Sequence, residues 1–208
     1  MKIQDINLET WKRKAQFDFF STFDEPFFGI TAYIDCTESF IKSKLLNNSF
    51  FLYYLYRAMK AANEIENFRY RIMGRRVIKF ESISASPTIS RDDGTFGFAY
   101  IDYTNDEDIF IEKATIEILK VKQSRQFLPA NSSDNVIHIS TLPWLNFTSI
   151  THARNFKNTD SCPKISFGKL TEIEGRKKMP VAIYVHHGLI DGYHIHLFLE
   201  RFQQLLDE

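Results

Sequence analysis

The sequence predicts an α/β fold over residues 1–208, read as one domain: a two-layer α/β sandwich with a mixed β-sheet covered by helices on one side. Three observations predict it. Apolar runs of strand length, the strongest at 179–185, are interspersed with stretches at helical spacing, the strongest at 50–63, 106–122 and 193–206. These elements lack the strict strand–helix alternation of a doubly wound sheet. No repeat, low-complexity tract or Pro/Gly/Ser-rich linker divides the chain, and 208 residues with 44% hydrophobic content suffice for one sizeable core.

Each element follows from its local pattern. Residues 10–17 open a short helix, and 27–36 alternate β-branched and aromatic residues as a strand does. Thr37 or Glu38 starts the next helix. Residues 50–63 place Phe, Leu, Tyr and Ala at helical spacing with few charges, which predicts a largely buried helix. Strands at 69–73 and 76–80 flank a tight turn at Gly74, with Val77 and Phe80 in the sheet. Residues 95–103 form another strand, 135–142 a strand running into Pro143-Trp144, and 165–168 continue the sheet. The almost continuous apolar run 179–185 reads as a strand buried on both faces.

Charge narrows the partners. Lys+Arg and Asp+Glu are equal at 26 each, so no global field draws the chain to nucleic acid or an anionic membrane, and a small-molecule ligand is expected. The first 14 residues lack the apolar run of a signal peptide and no stretch has the length of a membrane span, which predicts a cytoplasmic protein. Cys36 and Cys162 have no metal-ligand spacing and are expected to be reduced, and no metal site is expected. The 20 Phe and 9 Tyr exceed what such a core needs; most fill the core or a subunit interface, and some can line a pocket.

The residues that carry chemistry are His186-His187-Gly188-Leu189-Ile190-Asp191-Gly192, in the loop between the buried strand and the closing helix. Imidazole meets the needs of a general base for an alcohol without a large pKa shift. Successive positions at a strand end face opposite sides, so only one of the two histidines can face a given pocket. Asp191, in a turn before a helix, reads as a cap or an ion-pair partner, with Gly192 permitting a sharp turn that points it inward.

This cluster resembles the HHxxxDG signature of the chloramphenicol acetyltransferases. Trp11-Lys12-Arg13-Lys14 with Phe17, Asn67-Phe68-Arg69, residues 139–144, Phe147-Thr148-Ser149 and residues 179–183 extend the resemblance almost from end to end. It implies a chloramphenicol acetyltransferase-like fold, with acetyl-CoA as co-substrate and a small hydroxylated acceptor, chloramphenicol first among them, in an antibiotic-resistance setting. His187 corresponds to the base, Ser140 to a serine that stabilises the oxyanion, and Asp191 with Arg13 to a buried ion pair around the loop. Ser166 stands where the family has a threonine beside an ordered water, and Phe19 and Phe20 match aromatics of the acceptor pocket. A homotrimer with active sites between subunits is implied as well.

The acceptor region departs from the family pattern. His138 replaces a neutral side chain, Ile150 an aromatic one, and Asp160-Ser161 stand where the antibiotic-binding members carry Phe-Phe. A different acceptor, for example a dihydrolipoyl-type thiol, and a non-catalytic homologue that binds coenzyme A or a partner are the competing readings.

Overall fold

A computed structural model describes residues 2–127, 133–156 and 160–208. In chain order the elements are β1 (Ile3–Asp5), α1 (Lys14–Phe20), β2 (Phe27–Asp35), α2 (Thr37–Leu45), α3 (Phe50–Glu64), a 3-10 turn (Glu66–Arg69), β3 (Tyr70–Met73) and β4 (Arg76–Phe80). There follow β5 (Ser84–Ser90), β6 (Phe96–Phe98), α4 (Glu107–Gln123), β7 (Val136–Thr141), β8 (Lys164–Phe167), β9 (Thr171–Ile173), β10 (Arg176–His186) and α5 (Gly192–Asp207). A seven-stranded sheet has the order β2-β10-β8-β7-β5-β6, with β9 also paired to β10, and a separate three-stranded sheet has the order β1-β4-β3. Among the described residues only β5–β7 and β7–β8 are parallel, so the main sheet is mixed as the sequence predicts.

The core forms where helices α3 and α5 meet the main sheet. Phe167 on β8 lies between Tyr54 of α3 and Phe202 of α5, at ring separations of 4.8 and 6.1 Å. Val181, Ile183 and Val185 of β10 share that face with Ile165 and Phe167 by register, and all are buried. In α5 the buried residues are Ile195, Phe198, Phe202, Leu205 and Leu206, the 3–4 spacing of one helical stripe. Along the strands the alternate positions, Ser140, Ser166 and Ala182 among them, face away from these helices.

Several elements differ from the sequence reading. The first helix begins at Lys14, because residues 7–11 close on themselves in turns. The strand expected over 95–103 shrinks to Phe96–Phe98, with Ile101 reaching Ala85 through an isolated bridge. Strand β5 is unforeseen: its serines and Pro87 hide the alternation of Ala85, Pro87 and Ile89, yet most of it is buried. Strand β9 enters through the two-residue turn Glu174-Gly175, both residues at positive φ, without the usual Asn-Gly marker of such turns.

Both cysteines are free. Cys36 is shut away completely and burial pushes its thiol up to about 12; burial raises the Cys162 thiol too.

Candidate active site

Strand β10 is held on both sides, by β2 and β8, and so delivers its C-terminal end rigidly. The chain then turns sharply: Leu189 N and Ile190 N both donate to the His186 carbonyl at 3.0 Å, and His187 N donates to the Pro26 carbonyl at 2.8 Å. Asn67 clamps the turn from outside, its Nδ2 donating to the Leu189 carbonyl at 2.9 Å. Gly188 packs against the histidine before it, since a Cβ there would come 3.1 Å from His186 Cε1.

Asp191 ends the turn and caps α5. Its Oδ1 accepts from Tyr193 N at 3.1 Å and His194 N at 3.4 Å, while His194 Nδ1 accepts from Asp191 N at 3.2 Å, a reciprocal capping box. Its Oδ2 accepts from Arg13 Nη1 at 2.7 Å, and Arg13 Nη2 donates to the His187 carbonyl at 3.3 Å. The pair expected from the sequence therefore forms, and it ties the start of α1 to both ends of the loop. Two expectations are corrected. The Asp191 side chain keeps 33% of its surface exposed, so the pair is only partly buried; and Gly192 is simply the first residue of α5, with no positive φ, because the cap itself turns the chain. Burial raises the Asp191 carboxyl, but hydrogen bonding from Arg13 and the neighbouring His194 outweigh it and hold the group below its ordinary range.

The two histidines do face opposite sides. His186 is buried beside Phe27 at 5.6 Å, and its Nδ1 accepts from Gly188 N at 3.1 Å. Burial, aided by Arg154, pushes it down to about 4. His187 lies between two rings: Phe20 is stacked on it at 3.9 Å and 7°, and Phe28 is tilted against it at 4.3 Å. Its Nδ1 is buried without a partner among the described residues. Phe28 was not legible as a site residue, since nothing in the local sequence sets it apart from Phe27 and Tyr33 on the same strand. Phe19 packs on Phe20 and Phe23, both at 5.1 Å, and remains largely exposed.

The remaining residues form a second group. His138 and Ser140 lie on β7, in parallel register with Lys164 and Ser166 on β8, all on the sheet face turned away from α3 and α5. Ser140 makes no side-chain hydrogen bond among the described residues, and Ile150 is half-buried in the loop after β7. Ser166 is fully buried, its Oγ 3.4 Å from His152 Nε2. His152 is a residue the sequence reading missed; a lone histidine in a loop gives no local signal.

The two groups do not meet within one chain. Ser140 pairs with Ser166 and Ser166 with Ala182, and His187 lies five positions beyond Ala182 along the chain. At roughly 3.3 Å per residue and about 4.8 Å per strand, this is on the order of 16 Å along the sheet and 10 Å across it. Beside Ser140, at Thr141, opens an apolar cleft of about 790 Å³ whose lining includes Phe51, Trp144, Lys122 and Lys169.

Comparison with known proteins is consistent over the whole length. Residues 1–203 match the family description "Chloramphenicol acetyltransferase". The chain is 26% identical over 204 residues to a chloramphenicol acetyltransferase of Proteus mirabilis, covering 98% of this chain and 94% of that one. It is also 26% identical over 211 residues to chloramphenicol acetyltransferase 3 of Escherichia coli, with 99% and 97% covered. A solved chloramphenicol acetyltransferase superposes with a TM-score of 0.88 at 34% identity, covering 99% of this chain and 100% of that one. A dihydrolipoamide acetyltransferase of Azotobacter vinelandii shares the fold at a TM-score of 0.69 and 17% identity, with 93% and 86% covered.

Proposed function

Because the chain belongs to the chloramphenicol acetyltransferase family, we propose that it is an acetyl-CoA-dependent O-acetyltransferase acting on a hydroxyl of a small acceptor, with chloramphenicol the leading candidate. The observation that carries this reading is the fixed imidazole of His187, flanked by Phe20 and Phe28 with Nδ1 buried, which leaves Nε2 for the acceptor. Nε2 takes the hydroxyl proton as the acceptor oxygen attacks the thioester carbonyl. The tetrahedral oxyanion accepts a hydrogen bond from Ser140, and its collapse breaks the carbon–sulfur bond. The coenzyme A thiolate then leaves, and the imidazolium returns the proton to sulfur. No covalent acyl-enzyme is formed. Arg13 and Asp191 position the loop and take no part in proton transfer.

The site is assembled between copies of the chain. His187 and Ser140 are too far apart within one chain, so His187 of one copy serves the Ser140 of the next. Ile30 and Tyr33, exposed on the edge strand β2, supply apolar surface for such a contact. A homotrimer closes the arrangement with three equivalent sites. The apolar cleft beside Thr141 suits the coenzyme A portion, with Trp144 available for stacking and Lys122 and Lys169 for phosphate. The reaction is placed in the cytoplasm, where acetyl-CoA is available.

Hybrid assemblies test both the chemistry and its location. His187→Ala and Ser140→Ala chains, each nearly inactive alone, should regain thiol release when unfolded together and refolded as mixed oligomers, because some sites then combine an intact His187 with an intact Ser140. Absence of any recovery in verified hybrids would rule out the shared site.

A further inference from the structure

Arg154 lies in the loop after β7, and its side chain keeps only 6% of its surface exposed. A guanidinium so enclosed needs partners, because a buried charge left unpaired is strongly destabilising. Its Nη1 donates to Glu25 Oε1 at 2.8 Å, its Nε lies 3.5 Å from Asp160 Oδ2, and its guanidinium carbon sits 3.5 Å from the centre of the Phe27 ring. Lys164 Nζ lies near the same ring at 4.7 Å and closes the group through Asp160 Oδ2 at 2.6 Å.

The segment this cluster holds is the one that holds the base. Glu25 Oε1 also accepts from Phe27 N at 2.9 Å, so one oxygen joins Arg154 to the backbone at the start of β2. Between Glu25 and Phe27, the Pro26 carbonyl accepts from His187 N at 2.8 Å. In the β2–β10 ladder Phe27 pairs with His186 and Phe28 with Val185, and the Phe28 ring lies 4.3 Å from the imidazole of His187. Glu25 and Pro26 precede β2 and stand outside the ladder that fixes the residues after them.

We infer that Arg154 is a positioning residue for the acetyl-transfer base: through Glu25 and Phe27 it fixes the Pro26 carbonyl and the Phe28 ring that together set the imidazole of His187. This rests on the reading of His187 as the base. Arg154 acts through Glu25 and transfers no proton itself. Its loss should misplace the imidazole, which lowers kcat, while the coenzyme A cleft beside Thr141 is left as it is.

The test is thiol release from acetyl-CoA with chloramphenicol as acceptor. Arg154→Met strands no buried charge, since Asp160 keeps Lys164 and the Glu25 side chain is 37% exposed. In the folded variant kcat should fall by about tenfold or more at an unchanged KM for acetyl-CoA. Glu25→Ala, a second and more exposed site, should do the same, and Glu25→Gln, which keeps an oxygen to accept from both N–H groups, should restore most of the loss.

Mixed oligomers separate positioning of the base from a general loss of structure. Arg154→Met chains refolded with Ser140→Ala chains should exceed the mean of the two parents several-fold, because some sites then join an intact His187 half to an intact Ser140. Refolded with His187→Ala chains they should stay at that mean, since every base is then absent or misplaced. Unchanged kcat in folded Arg154→Met and Glu25→Ala, or recovery with His187→Ala chains, would overturn the inference while acetyl transfer stands. If His187→Ala and Ser140→Ala chains themselves fail to recover together, the shared site falls, and the kcat loss at constant KM with its rescue by Glu25→Gln decides the role of Arg154. No turnover by the unaltered chain would overturn the acetyl-transfer reading and this inference with it.

Discussion

The ring of Phe20 lies face to face with the imidazole of His187, centroids 3.9 Å apart and planes within 7° of parallel. Phe20 belongs to α1 and His187 to the loop after β10, so this contact, with the Arg13–Asp191 pair, fixes the orientation of the base from a separate element. Phe20→Leu keeps an apolar side chain and removes the flat support. Because small misplacements of a reacting group are costly, kcat should fall by roughly tenfold or more with little change in melting temperature. An unchanged kcat in the folded variant would show that Phe28 orients the imidazole without help.

His187→Ala should lower kcat by about 10²–10⁴-fold, the range for losing a general base, with the fold and coenzyme A affinity retained. His186→Ala should instead lower stability, since it removes a buried ring and the acceptor for Gly188 N, and affect kcat less. Equal kcat losses in two fully folded variants would mean that the base is misassigned.

Much of this was legible because the governing signals are local. The run at 179–185 announces a buried strand, the stripe after Asp191 announces α5, and the end of the one and the start of the other bracket the histidines. The pairing of Arg13 with Asp191 came from resemblance, as no local pattern links residues 178 positions apart. Strand β5 was lost because buried serines beside a sheet read as loop, and its burial depends on neighbours from distant segments. Phe28 and His152 were missed for the same reason: their roles are set by register and loop path.

The ion pair and the cap at Asp191 separate by substitution. Asp191→Asn retains a competent N-cap and loses the carboxylate that meets Arg13, so it should lose about 1.5–3 kcal/mol, the worth of a hydrogen bond to a charged group, reduced by the partial exposure of Asp191. Asp191→Ala should lose about 1 kcal/mol more through the cap. Chemical denaturation measures both, and activity should fall in step with stability. A large loss of kcat at unchanged melting temperature would instead place the carboxylate in the proton transfer.

Acid should weaken the fold before the carboxylates protonate. His138 and His186 are both pushed from 6.5 to about 4, first by burial, then by Lys164 and by Arg154 respectively. Their folded values lie below their unfolded ones, so the unfolded chain binds more protons between about pH 6.5 and 4. Their contribution is therefore complete above about pH 6.5 and is lost as pH falls toward 4, on the order of 3 kcal/mol for each. Asp160 and Asp191, held low, add a further loss only below that window. Urea midpoints measured from pH 7.5 to 4.5 should fall continuously, and His186→Asn should flatten the slope. A level profile over this range would contradict neutral burial of the two histidines.

The low reactivity of the two thiols determines how turnover can be watched. A chromogenic disulfide reagent reacts with thiolate, and Cys36, fully enclosed and pushed up to about 12, has almost none at neutral pH. Cys162, raised by burial, is likewise a poor nucleophile. Colour developed in a continuous assay then reports coenzyme A released by the reaction rather than the protein's own sulfur, and the reagent neither consumes nor inactivates the catalyst while the progress curve is recorded.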